Sequence, residues 1–221
     1  MIVIREPGPF SLGFPIWTPS LILLGVYLYA IVSALWRRRR DFLSLSRRGW
    51  FVLGLILILT PFAHRLLVVY WPWGRVVPTG PMNVVPIRSA ISLPGVLLIA
   101  IAAYGLGPGP GLVVSLVAGV SWSRYMPLVA TDVLALSMWG YLIGALLRLP
   151  YRGDVFRILR LPVVAAVSAS VATAFILSLS RLAASQLADP LRIIDFMVVL
   201  WGSELPLWGL VGLGVGLLLQ G

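Results

Sequence analysis

Apolar residues in this sequence come in long continuous runs, separated by short polar stretches rich in arginine. A helix that crosses a bilayer needs roughly 20 predominantly apolar residues. The runs that meet or approach this are 16–36, 50–70, 89–106, 112–122, 126–147, 161–180 and 196–219. The fourth is short: at 1.5 Å per residue it covers about 17 Å, so it must recruit neighbours or stop partway. A transmembrane β-strand would alternate over about ten residues, which these runs do not. The pattern predicts an all-α fold, a polytopic transmembrane helical bundle of about seven spans, forming a single domain over 1–221.

Composition strengthens that reading. Of the 221 residues, 60% are hydrophobic and 11% charged, whereas a soluble domain carries about a quarter charged residues. The absence of cysteine excludes disulfides, thiolate metal sites and cysteine nucleophiles. All 17 basic residues are arginine, so no Schiff-base or phosphate-loop lysine exists.

The net charge of +10 is explained by position rather than by nucleic acid. Arg37, Arg38, Arg39, Arg40, Arg47 and Arg48 fall between the first two runs, and Arg148, Arg152, Arg157 and Arg160 between the fifth and sixth. With seven crossings, four of them separate the two groups and put both on one side, which the positive-inside rule makes the cytoplasm. The N-terminus is then outside and the C-terminus inside, in the inner membrane of a bacterium. Single arginines (Arg5, Arg75, Arg88, Arg124, Arg181, Arg192) fall on the outer side. The clusters read as topology signals and lipid-headgroup contacts, because no soluble domain is present to dock a duplex. The first run lacks a basic N-flank and a small-residue cleavage site, so it is not a removed signal peptide.

Tryptophans and tyrosines near run ends, such as Trp17, Trp36, Trp50, Tyr70, Trp122 and Tyr151, are expected as interfacial anchors. Small residues gather in the fifth run (Gly140, Gly144), the sixth (Ala165, Ala166, Ser168, Ala169, Ser170, Ala172, Ala174) and the seventh (Gly209, Gly212, Gly214, Gly216), and where they fall four apart they let backbones approach closely. Packing within the chain suffices to explain them; a partner helix or second copy docked on the last two runs is the sharper alternative. Gly107-Pro108-Gly109-Pro110-Gly111 lacks the strand and lysine of a nucleotide loop, and its prolines remove N–H donors. It is expected as a tight helix-to-helix turn.

Ionisable groups inside spans are costly and mark functional sites by default. His64, Arg65, Asp132 and Glu204 lie within runs, with Arg88 and Arg124 at run ends, all in the outer half under this topology. Asp132 is about 9 Å below the outer start of the fifth run and Glu204 about 12 Å below that of the seventh. Two readings stand side by side. One is a self-neutralising network, for instance Arg65 or Arg124 with Asp132 or Glu204. The other is an outward-facing pocket for a small polar or anionic molecule, with arginines as charge partners and Trp201 and Trp208 as walls. One histidine, no cysteine and no paired metal ligands leave little for catalysis, so no enzyme and no metal site is expected, and no cofactor is indicated.

Part of the chain resembles a known architecture. Leu93-Pro94-Gly95, then Tyr104-Gly105-Leu106-Gly107-Pro108-Gly109-Pro110-Gly111, then Val117-Ala118-Gly119-Val120 is similar to the glycine-proline hairpin of membrane sensor regions. Those regions precede bacterial histidine kinases and GAF-containing signalling proteins. The connector 151–162 resembles the basic connector of the same sensors, and a similar hairpin occurs in substrate-binding components of energy-coupling-factor vitamin transporters. The resemblance implies a sensor or ligand-binding module of a signal-transduction system, and it assigns no ligand residue. Its implied partners are the lipid bilayer, a cytoplasmic signalling or ATPase chain and, for the docked-copy reading, a homodimer. Such sensors continue into a HAMP, GAF or kinase region, whereas the sequence ends at Gly221. The output is therefore expected on another chain or a longer product. A vitamin-type transporter component and a structural subunit of a membrane complex are the alternatives.

Overall fold

In the computed structural model of the chain, residues 2–3, 12–13, 18–63, 68–70, 76–78, 84–86, 90–123, 128–150, 153–184 and 190–220 are described. Helices dominate: α1 (Thr18–Arg37), α2 (Arg39–Leu43), α3 (Arg47–Ala63), α4 (Leu93–Ile101), α5 (Pro108–Trp122), α6 (Ala130–Leu147), α7 (Asp154–Leu159), α8 (Pro162–Ala184) and α9 (Pro190–Gln220). α4 continues into a π-helical turn over Ala102–Leu106. Four helices, over Thr18–Arg37, Ala130–Leu147, Pro162–Ala183 and Ile193–Gln220, are long and apolar enough to cross a membrane. Leu93–Leu106 and Pro108–Trp122 are apolar but shorter.

The bundle has an apolar core that also encloses polar side chains, and many large apolar side chains lie on its outside. Ile22, Tyr29 and Val32 on α1, Phe51 and Ile58 on α3, and Val198 and Leu217 on α9 are exposed. Ser115, Thr131, Asp132, Ser170, Thr173 and Glu204 are buried. In water this arrangement would leave large apolar patches unsatisfied. In hydrocarbon it is favourable, because polar groups have partners only within the protein.

α6 lies at the centre, against α5, α8 and α1, and the most extensive pairing is α8 with α9. Both interfaces rest on glycine. A Cβ at Gly111 would stand 2.8 Å from the Gly140 carbonyl oxygen, and one at Gly144 2.7 Å from Pro108 Cα. Between α8 and α9, a Cβ at Gly212 would stand 2.7 Å from Val167 Cα. The expected close approach of small residues is therefore made within the chain at Gly140, Gly144, Gly212 and Gly216, while Gly209 and Gly214 have open space beside them.

Several boundaries differ from the apolar runs. The second run is helical only to Ala63, and β3 (Val68–Tyr70) pairs antiparallel with both β1 (Ile2–Val3) and β6 (Ala90–Ser92). Val68, Val69 and Tyr70 are β-favouring types. The third run starts as β6 and becomes helix at Leu93, where Ser92 accepts the Gly95 N–H at 3.4 Å and Pro94 occupies the first turn. Ser92 Oγ also donates to the Ala63 carbonyl at 3.1 Å, tying the end of α3 to the start of α4. The short fourth run does recruit neighbours: Gly107 alone, at φ +112, makes the turn, and Pro108 to Gly111 are already helical. In the fifth run β7 (Leu128–Val129) pairs parallel with β2 (Leu12–Gly13) before α6 begins. The remaining strands, β4 (Val76–Pro78) and β5 (Val84–Pro86), form a hairpin.

The two ends of the bundle differ. The β3–β6 and β2–β7 pairings gather at the end that holds the C-terminus of α3 and the N-termini of α4 and α6. The opposite end collects the arginines. There the Gly109 N–H donates to Asp41 Oδ2 at 3.3 Å, and the Arg148 guanidinium covers Gly107. One turn thus touches both arginine-rich connectors, which share an end of the bundle.

Replacing Gly140 by leucine drives a side chain into Ser115 Oγ and the Gly111 backbone. We expect a loss of about 3 kcal/mol, read as a lower thermal midpoint of the detergent-solubilised protein. Gly209→Leu, with nothing within 4 Å of its Cβ position, should leave the midpoint unchanged.

Candidate functional site: a buried ionic cluster at the strand-bearing end

Asp132, Arg181 and Glu204 converge where α6, α8 and α9 approach the strand-bearing end. Asp132 occupies the first turn of α6, where the exposed N–H groups and the helix dipole favour a carboxylate. Arg181 sits in the last turn of α8, the matching position for a cation. Glu204 lies inside α9, two residues before Pro206, which has no N–H for the Gly202 carbonyl. Arg181 Nη1 donates to Glu204 Oε1 in a salt bridge whose side chains are 23% and 2% exposed. The Asp132 charge also acts on Arg181, and Asp132 is itself 6% exposed.

Glu204 has both oxygens engaged. Trp208, one turn further along α9, donates its Nε1–H to Oε2 at 3.0 Å. The Trp208 ring meets Trp139 of α6 edge-on, with centroids 5.8 Å apart, and Trp139 Nε1 donates to Ser170 Oγ at 2.9 Å. A continuous chain of contacts therefore runs from Arg181 through Glu204, Trp208 and Trp139 back to α8 in the middle of the bundle. Each indole N–H in it has an acceptor, as burial demands.

α1 closes the other flank. Tyr27 Oη donates to the Ile176 carbonyl at 3.0 Å, and Ser180 Oγ lies 3.3 Å from Tyr27 Oη. Ser20 Oγ donates at 2.7 Å to the Ala183 carbonyl, one of the acceptors left open at the end of α8. Thr131 Oγ1, Thr173 Oγ1 and Ser115 Oγ are buried without a hydrogen-bond partner among the described residues.

Against the sequence-based candidates, the structure brings Asp132 and Glu204 to one arginine. That arginine is Arg181, which the apolar-run boundary at Ser180 had left in a connector rather than on a helix. The signal was the apolar continuation Leu182-Ala183-Ala184, which keeps α8 helical past it. Trp208 contacts Glu204 directly. Trp201 is 37% exposed, with its ring edge-on to Phe175 at 5.5 Å on the outer face of the α8–α9 pair. His64, Arg65, Arg88 and Arg124 lie outside the described residues. Among the described residues no group of three or more His, Asp or Glu side chains is placed to hold a metal ion. No protein-family model, curated protein or solved structure matches the chain.

Removing one partner of a buried ion pair strands the other charge. Arg181→Met is therefore expected to destabilise by about 3 kcal/mol, toward the lower end for buried pairs because the Arg181 side chain is 23% exposed. The double variant Arg181→Met/Glu204→Leu should recover most of that loss. Denaturation of the four proteins of the cycle in one detergent measures the coupling, and strictly additive losses would show that the two side chains do not act as a pair.

Proposed function

We propose that the chain is a non-enzymatic sensor or ligand-binding module of a bacterial inner membrane. In this reading it has about seven spans, with the strand-bearing end outside and the arginine-rich end in the cytoplasm. The convergence of both arginine-rich connectors at one end supports the orientation, since basic residues are retained on the cytoplasmic side. The ligand is a small polar or anionic molecule that enters from outside and engages Arg181.

Arg181 is the observation that carries the proposal. Its side chain is 23% exposed, while that of its acidic partner is only 2% exposed. Glu204 Oε1 accepts from Nη1 of the Arg181 guanidinium. A guanidinium presents five N–H donors in a planar fork suited to carboxylate or phosphate. An incoming anion thus competes with Glu204 for these donors. Relaxing the Arg181–Glu204 contact alters Trp208 and, through Trp139, α6, which ends beside Arg148 at the opposite end. The ligand shifts the balance between two packings only as far as it prefers one of them.

Two measurements test this reading. Because the chain has no cysteine, Ser44→Cys and Val155→Cys report topology cleanly. Both should react with an impermeant maleimide from the cytoplasmic face, and reaction from opposite faces would reject the orientation. For the ligand, a panel of small carboxylates and inorganic phosphate is titrated against the protein in nanodiscs. Binding should disappear in Arg181→Gln and tighten by about tenfold in Glu204→Gln, where the competing carboxylate is gone. A panel without a binder rejects the anionic class, and a binder indifferent to both variants rejects the site.

A further inference from the structure

The arginine-rich end carries a binding surface of its own, independent of the ionic cluster at the far end. α5, 15 residues long, rises only about 22 Å, against a hydrocarbon core of about 30 Å. The α4–α5 hairpin is therefore shorter than the bilayer it faces, and α2 folds across its tip. Phe42 rests on Gly109, where a Cβ would stand 3.3 Å from the ring Cζ, and Asp41 accepts the Gly109 N–H. Arg148 lies over Gly107 from the other connector: a Cβ there would stand 2.8 Å from its Cζ.

At this end exposed arginines outnumber the acids among the described residues. Arg39, Arg40, Arg47 and Arg48 of the first connector, with Arg148 and Arg157 of the second, are exposed. None forms an ion pair with a described residue; the salt bridge among the described residues, Arg181–Glu204, is at the opposite end. Two described acids share this end: the Asp41 carboxylate accepts a backbone N–H, and Asp154 lies in the first turn of α7. Exposed apolar groups interleave with the cations. Trp36 is 69% exposed and lies 4.9 Å beneath the Arg39 guanidinium carbon, and on the second connector Val155 and Ile158 of α7 are exposed beside Arg157. A soluble anion or an acidic protein face has no use for those apolar groups. The boundary between phospholipid headgroups and acyl chains has use for both.

We infer that this end binds anionic phospholipids. Their phosphates are drawn in over the tip of the short hairpin to Arg39, Arg40 and Arg148, while acyl chains cover Trp36 and the apolar face of α7. Basic groups near the headgroups each favour anionic lipid, and salt screens that preference.

Native mass spectrometry of the full-length protein tests this, with phosphatidylglycerol and phosphatidylcholine competing in equal amounts. Phosphatidylglycerol should be retained at least about tenfold over phosphatidylcholine, with the preference falling as ionic strength rises. Arg39→Gln/Arg40→Gln/Arg148→Gln should bring the ratio close to one. Should that variant fail to fold, the salt dependence of the wild-type preference decides alone. Excess inorganic phosphate that leaves the bound lipid in place supports a lipid site; phosphate that displaces it completely assigns the arginines to a soluble anion and overturns the proposal. Equal retention of the two lipids, or a preference insensitive to salt, overturns it as well.

Discussion

The flanks of the helix bundle are leucine, isoleucine, valine and aromatic side chains, and most polar groups buried between the helices find their partners within the protein. That constraint organises the molecule from its centre outward. Helices satisfy their own backbones, which leaves side chains and helix ends to be matched. Glycine pairs between α5 and α6, and between α8 and α9, bring the backbones close enough for serines, tryptophans and a buried glutamate to reach across. Where the helices end, side chains finish the work, as Ser92 does at α4 and Ser20 at the end of α8.

The same constraint explains why the one described ion pair sits where it does. Arg181 and Asp132 each occupy the helix end whose dipole favours their charge, so part of their stabilisation is independent of each other. Glu204 has no such help inside α9. It depends on Arg181 and Trp208 together, which makes it the group most sensitive to any change at that end. Coupling from there to the middle of the bundle has a physical carrier in the Trp208–Trp139 contact, and α6 continues the same rigid element to the arginine-rich end.

The two ends divide the charge unequally. At the strand-bearing end, acids and a guanidinium are buried among helices; at the other, arginines are exposed and interleaved with apolar side chains. Short strands from three separate connections tie the first end together, whereas the second is gathered by one turn at Gly107 and the α2 segment folded over it. A partly exposed arginine side chain backed by a sealed carboxylate suits a site that exchanges partners. Unpaired arginines beside tryptophan suit a surface that stays in contact with headgroups.

From the residues alone, the all-α class and the helices of α1, α6, α8 and α9 are legible, because long apolar runs have few stable forms other than a helix. The grouping of arginines, the small-residue contacts at Gly140 and Gly212, and the importance of Asp132 and Glu204 as buried acids are legible on the same grounds. The helix ends were not. Whether 68–70 and 90–92 extend as strands depends on partners distant in sequence, and hydropathy carries no record of pairing. The partner of Glu204 was equally hidden, since several arginines were available by sequence. The choice of Arg181 follows from α8 remaining helical to Ala184 and from the antiparallel register that the Gly212 and Gly216 contacts impose on α9. Sequence thus determined which groups must be buried or paired, through the cost of leaving them in hydrocarbon; tertiary structure alone decided which of them meet, because register and helix length are set by packing between segments.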